Sequence, residues 1–262
     1  MKATTHPIVD QAEIRTLIPH AGSMCLLDHV LEWNEQSIVC VSQTHRDPAN
    51  PLRRAGRLSA IHAFEYGAQA VAIHGGLRAR ASGALAPPGY LAALRDATLH
   101  TSQLNAFPSA LQVQAEQLFA DRANSVYQCS IFAGDTLLAH GRVTIILRDT
   151  GKVGRRPVPS PGITSDRFIP SDHPSLAGHF PDEPIVPGVV ILDELMTALA
   201  QVGQSSSELS RISSVKFLAP LLPEERFAIS FDPSPEAQHL DFRCRTADRV
   251  IAQGRFELTI HD

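Results

Sequence analysis

Apolar positions along the chain switch between helical and strand periodicity, and the whole sequence of switches occurs twice. From Leu58 to His74, residues Ile61, Phe64, Ala68 and Val71 recur at the spacing of one helix face, and Gly75-Gly76 reads as the C-terminal cap. A second helix is expected to begin after Pro187-Gly188 and to run to Gln201, with Val189, Leu192, Leu195 and Leu199 on its apolar face. Alternating runs follow each helix. They predict strands at 111–119, 125–132 and 137–147 in the first half, and at 212–217, 226–231, 240–245 and 250–260 in the second. One long helix and a set of short strands, used twice, predicts an α+β fold in which each antiparallel sheet wraps around a central helix.

The halves also end alike. LLAHGRVTIIL (137–147) and VIAQGRFELTI (250–260) both set a Gly-Arg pair, Gly141-Arg142 and Gly254-Arg255, before alternating apolar positions, and Cys129 and Cys244 precede them at similar distances. Between the halves, residues 149–166 gather Pro157, Pro159 and Pro161 among glycines and charges, the composition of an exposed linker. The chain therefore divides into a first unit at 1–150, a linker at 151–163 and a second unit at 164–262, two copies of one fold in tandem.

Composition narrows the function classes. With 262 residues, 44% hydrophobic and 19% charged, each half is long enough to bury its own core. The net charge of −4 offers no broad basic surface for nucleic acid. No apolar run approaches the roughly 18–20 residues that span a bilayer. The opening MKATTHPIVDQAEIRTLIPH lacks the apolar core of a signal peptide, so a cytoplasmic location is expected. Cys25, Cys40, Cys129 and Cys244 are scattered without CxxC or zinc-ligand spacing and read as reduced, packed thiols.

The segment with the most chemistry is HPSLAGHFPDEPIVPGVVILDELM, residues 173–196. It sets His179 before a loop stiffened by Pro181, Pro184 and Pro187, then opens a helix at Gly188 and carries Asp193 one turn in. Imidazole is the side chain suited to take a proton near neutral pH, and a carboxyl group can supply one to a leaving hydroxyl. The helix-start amides of Gly188 and Val189 have no intrahelical acceptor and suit the negative charge that develops on a thioester oxygen. Base, acid and oxyanion donors together are what removal of water from a 3-hydroxyacyl thioester requires.

The pattern GHFPxxPxxPGVxxxD, carried by His179, Phe180, Pro181, Pro184, Pro187, Gly188, Val189 and Asp193, resembles the signature of the β-hydroxyacyl-acyl-carrier-protein dehydratases, a hotdog-fold family. VKFLAPLLPEERFAI (215–229) is similar to that family's strand and proline-bounded turn. Asp182 departs from the usual glycine and Thr197 stands where many members carry glutamine, differences that bear on the substrate tunnel. In the first half, LIPHAGSMCLLDHV (17–30) is similar to the family's amino-terminal segment. FEYGAQA (64–70) is similar to the helix carrying its ExMAQ motif, with Glu65 at the acid position and Gln69 at the glutamine. THRDPANPLRRAGRLSA (44–60) replaces the histidine loop, leaving His45 as the nearest candidate base. The chain most resembles the two dehydratases of aryl polyene pigment clusters joined end to end.

That resemblance implies a tandem (double) hotdog that forms the family's dimer internally, at high effective concentration. Because the family places the histidine of one protomer against the acid of the other, His179 is expected to meet Glu65, and His45 to meet Asp193. The implied reaction is dehydration of 3-hydroxyacyl-acyl-carrier-protein to the trans-2-enoyl form. Phe180 and Pro187 would border the substrate, and the amides of Gly188 and Val189 would hold the thioester oxygen. Acyl carrier protein is the implied partner and brings its phosphopantetheine arm, so no further cofactor and no metal are called for. Assembly into a larger homo-oligomer stays open. Two rivals stand beside this reading: a thioesterase on the same fold, and a first half that only stabilises or docks. His62, one turn before Glu65, reads as a supporting histidine and His20 as a structural one. Arg53, Arg54, Arg57, Arg78 and Arg80 read either as a solvated face or as a dock for the carrier's phosphate.

Overall fold

Strict alternation of buried positions builds the sheet: Ile38, Cys40 and Ser42 in one strand, and Leu240, Phe242 and Cys244 in another, turn to the core while their neighbours face outward. In the computed structural model, which describes residues 8–85, 89–147, 163–181, 183–201, 209–233 and 239–258, the first half contributes six strands. They are β1 (His29–Trp33), β2 (Ser37–Ser42), β3 (Gly89–Leu99), β4 (Leu111–Ala120), β5 (Asn124–Ala133) and β6 (Thr136–Leu147). The second half contributes β7 (Ile163–Arg167), β8 (Leu209–Phe217), β9 (Phe227–Pro233), β10 (His239–Arg245) and β11 (Val250–Leu258). All eleven join one sheet in the order β1-β2-β4-β5-β6-β3-β8-β11-β10-β9-β7.

The sheet order is nearly its own mirror about the β3–β8 junction. There the lobes are stitched antiparallel, with Leu94 opposite Val215 and Arg95 opposite Ser214. Asp96 reinforces the junction by taking Arg142 from its own lobe and Arg211 from the other. Each lobe wraps a helix, α2 (Ala63–Ala81) in the first and α3 (Gly188–Gln201) in the second, and α1 (Gln11–Leu17) lies against α2. The architecture is a double hotdog, and one apolar core runs through both lobes from Phe64, Tyr66 and Cys129 to Val215, Phe242 and Phe256.

Three expectations need correction. The first helix does not stop at Gly75-Gly76 but continues to Ala81. A Cβ at Gly76 would lie 3.0 Å from both Cβ and the carbonyl oxygen of Leu17, so this glycine admits α1 to the surface of α2 instead of capping it. Strands β1, β2 and β3 were absent from the periodicity-based expectation. The stretch read as a linker from 149 already carries a strand at Ile163–Arg167, paired with β9. Residues 149–162 of that stretch lie outside the described residues, as do 259–260 of the last predicted strand. Among the described residues, no helix is long and apolar enough to cross a membrane.

Candidate active site

Glu65 enters the core in the first turn of α2. An ionisable group there needs partners, and two are provided on the same oxygen. His20 Nε2 lies 3.2 Å from Glu65 Oε1, and Gln69 Nε2, one turn along the helix, donates to Oε1 at 3.1 Å. Gln69 is itself fixed, donating to the carbonyl of Met24 at 2.8 Å and accepting from the amide of Leu26 at 2.9 Å. Oε2 of Glu65 takes part in neither contact.

His179 comes from the other lobe, on the loop leaving a 3-10 turn at Leu176–Gly178. The Ala21 amide donates to the carbonyl of Gly178 at 3.1 Å, so the histidine loop docks beside His20. Glycine is required at 178: a Cβ would lie 2.1 Å from the carbonyl oxygen of Ala21 and 2.7 Å from Met24 Cβ. His179 Nδ1 is 3.0 Å from the carbonyl oxygen of Ile185. A carbonyl only accepts, so Nδ1 carries the proton and Nε2 presents a lone pair. The rings of His179 and His20 lie 5.3 Å apart, and Phe180 stacks on His179 at 4.3 Å while meeting His20 edge-on at 5.2 Å.

His20, Glu65 and His179 are all buried, and one potential ligand atom from each falls within 4.8 Å of the others. Burial lowers the pKa of His179 against the opposing pull of Glu65, so the ring is a neutral base at neutral pH. Burial also resists ionisation of Glu65. The hydrogen bond from His20, the fields of His179 and His20, and the Gln69 hydrogen bond outweigh it and hold the carboxyl below its ordinary value. A neutral His179 contributes no such field, but the His20 and Gln69 hydrogen bonds keep the direction. The resting pair is thus a neutral imidazole beside a carboxylate.

Both groups line a cleft of 1420 Å³ that also touches Tyr90, Phe180, Gly188 and Ile191 and extends along α2 to Arg78. Gly188 opens α3 against the ring of Phe217, and a Cβ there would come within 2.8 Å of it. Pro187 is buried, and its carbonyl receives the amides of Val190 at 3.0 Å and Ile191 at 3.3 Å, which starts the helix and leaves the amides of Gly188 and Val189 ahead of the ladder. Gly188 borders the cleft; the Val189 side chain is fully buried behind it.

The second expected pair is not formed. His45 is the buried residue of a 3-10 turn, with Nε2 3.1 Å from the carbonyl oxygen of Phe107 in its own lobe. Asp193 instead faces His62, Oδ1 to Nε2 at 3.9 Å, and it does not border the cleft. His62 is fully packed, and burial lowers its pKa despite the carboxylates of Asp193 and Glu65. His20, read from the sequence as structural, is the residue that reasoning missed. Its signal was the similarity of the 17–30 segment to the dehydratase amino-terminal motif, which carries a histidine at this place. Of the five arginines, Arg54 pairs with Glu194 at 2.8 Å and Arg80 with Glu13 at 2.5 Å, while Arg78, exposed at the cleft, donates to Gln117.

Comparison with known proteins follows the same division. Residues 12–153 match a family model described as ApeP dehydratase, and residues 159–255 match one described as ApeI dehydratase. The chain is similar to a 3-hydroxyacyl-[acyl-carrier-protein] dehydratase FabZ of Histophilus somni (strain 2336), 30% identical over 78 residues, 27% of this chain and 52% of that protein. It thus spans about half the length of the curated relatives it matches. Among solved structures it is similar to the dehydratase heterocomplex ApeI:P from Xenorhabdus doucetiae, with 22% identity, a TM-score of 0.48, and coverage of 52% of this chain and 91% of that one. An acyl-ACP thioesterase from Bacteroides thetaiotaomicron shares the fold over 86% of this chain and 100% of its own, with a TM-score of 0.54 and 10% identity.

Proposed function

The chain belongs to the ApeP-like dehydratase family and continues into an ApeI-like dehydratase unit, and on that premise we propose that it converts 3-hydroxyacyl-acyl-carrier-protein to the trans-2-enoyl form, as a step in aryl-polyene-type chain building. The observation that carries the reading is the neutral His179 of one lobe set against Glu65 of the other at the wall of a long, largely apolar cleft. A substrate thioester oxygen sits at the start of α3, where the amides of Gly188 and Val189 stabilise the charge that builds as the α-proton leaves. The Nε2 lone pair of His179 takes that proton.

Glu65 is held as a carboxylate, so it does not serve as the resting proton donor. Its Oε2 accepts the hydrogen bond of the substrate's 3-hydroxyl and points that group at His179. The imidazolium then returns its proton to the hydroxyl, the C–O bond breaks, the C2–C3 double bond forms, and water departs with His179 neutral again. The atoms balance without metal or redox cofactor. Phe180 and Tyr90 flank the acyl chain, in T-shaped contact at 5.8 Å. Acyl carrier protein is the partner we assign, with exposed Arg78 at the cleft as the side chain for the phosphopantetheine phosphate. The buried, unpaired cysteines support a cytoplasmic setting.

A carboxylate beside an imidazole is also equipment for hydrolysis, and product analysis separates the two chemistries. Given a carrier-bound 3-hydroxyacyl chain, the protein is expected to yield a carrier-bound product lighter by one water, and given the carrier-bound trans-2-enoyl chain it is expected to add water back. Free acid and free carrier thiol as the sole products would overturn the assignment.

A further inference from the structure

We propose that His20, Glu65 and His179 form a binding site for a divalent transition-metal ion of the zinc and cobalt class, and that occupancy by such an ion switches off the activity proposed above. The proposal rests on that reading only for its consequence; the site itself stands on geometry. Two imidazoles and a carboxylate, buried and with ligand atoms mutually within 4.8 Å, are the donor set that borderline-soft divalent ions prefer. Hard ions such as magnesium and calcium want more oxygen ligands than the cluster offers.

Each ligand is already oriented. His179 Nδ1 donates to the carbonyl of Ile185, which leaves the Nε2 lone pair forward, the arrangement by which an outer partner fixes a metal-bound imidazole. Glu65 is steadied by Gln69, which is braced in turn by Met24 and Leu26. His20 now directs its Nε2 proton at Glu65, yet its buried Nδ1 has no hydrogen-bond partner. The proton can therefore move to Nδ1 without breaking any bond there, freeing Nε2 to ligate. The cluster lies on the wall of the cleft, so a fourth position stays open to water. An ion so placed occupies the lone pair that would take the α-proton and ties together residues of both lobes.

The stacked pair His100 and His140, with Nε2 to Nδ1 at 3.1 Å on the surface, is a competing imidazole pair, so the test is made in the H140A protein. Titration with Co2+ and no substrate is expected to give one visible-absorbing ion per chain. Affinity should fall at least about tenfold in each of H20A, E65Q and H179A. Should any of these fail to fold, Cu2+ bound to the H140A protein itself is expected to show two imidazole nitrogens by pulsed EPR. One equivalent of Zn2+ should abolish dehydration and EDTA should restore it. No Co2+ binding at millimolar concentration, binding indifferent to all three substitutions, or full activity with the site occupied would each overturn the proposal. A protein that binds Co2+ at the cluster yet dehydrates nothing would refute the proposed function and leave the metal site standing.

Discussion

The two helices at the heart of the molecule carry matching acids in unmatched surroundings. On α2, Glu65 is followed one turn later by Gln69, whose side-chain amide binds the carboxylate. On α3, Asp193 is followed one turn later by Thr197, whose hydroxyl turns to the backbone carbonyl of Asp193 at 2.9 Å and leaves the carboxylate alone. Glu65 faces the histidine of the opposite lobe across a cleft. Asp193, itself half-buried, faces the buried His62 away from that cleft, while His45, the histidine nearest in sequence to the lost loop, is tied to Phe107. A doubled fold brings two pseudo-equivalent positions, but the supporting residues decide which one is built for chemistry, and here they favour the Glu65 side.

The sharpest way to break that comparison is to remove each acid and base in turn. H179A is expected to lower the dehydration rate by roughly 10²–10⁴-fold, the usual contribution of a positioned acid–base group, and E65Q, which removes the carboxylate that orients the hydroxyl, by about 10²-fold. D193N is expected to stay within about a factor of three of the parent, as a substitution away from the reacting atoms does. Steady-state rates on one carrier-bound substrate measure all three. Equal losses in D193N and E65Q would restore the symmetric picture.

A smaller effect is expected where the histidine loop meets the other lobe. In G178A the added methyl group has the carbonyl oxygen of Ala21 at 2.1 Å in its way, so the loop must lift from His20. A cost of about 1–3 kcal/mol is expected from overpacking of this kind. Displacing His179 should also lower turnover roughly tenfold or more, because reacting groups tolerate little misplacement. Thermal unfolding and turnover should fall together; a variant with parental values in both would show that the lobes do not need this close approach.

Much of the fold was legible because its signals are local. The apolar faces of α2 and α3 and the alternating strands of the second half follow directly from period and composition. β1 and β2 escaped because HVLEW and SIVCVS are short and half-polar, and the place of this pair in the sheet is settled by β2 joining the distant β4. Gly75-Gly76 misled because a glycine pair inside a helix looks like a cap unless one knows that Leu17 approaches it. Within the site, His179, Phe180, Gly188 and Glu65 were marked by motif. The absence of a His45–Asp193 pair was not, since it depends on where a loop of different length folds back. His20 shows the same limit: a histidine's meaning lies in what stands 3.2 Å away, and Glu65 is far along the chain.

The coupling of His179 to Glu65 across the lobes is open to one direct measurement, the titration of labelled His179 by NMR in the parent, E65Q and D193N proteins. Burial lowers the His179 pKa and the Glu65 carboxylate opposes that lowering, so removing the charge should move the His179 midpoint further toward acid. In E65Q the midpoint is expected to fall, and in D193N it should match the parent. A midpoint that holds in E65Q and falls in D193N would contradict the cross-lobe pair.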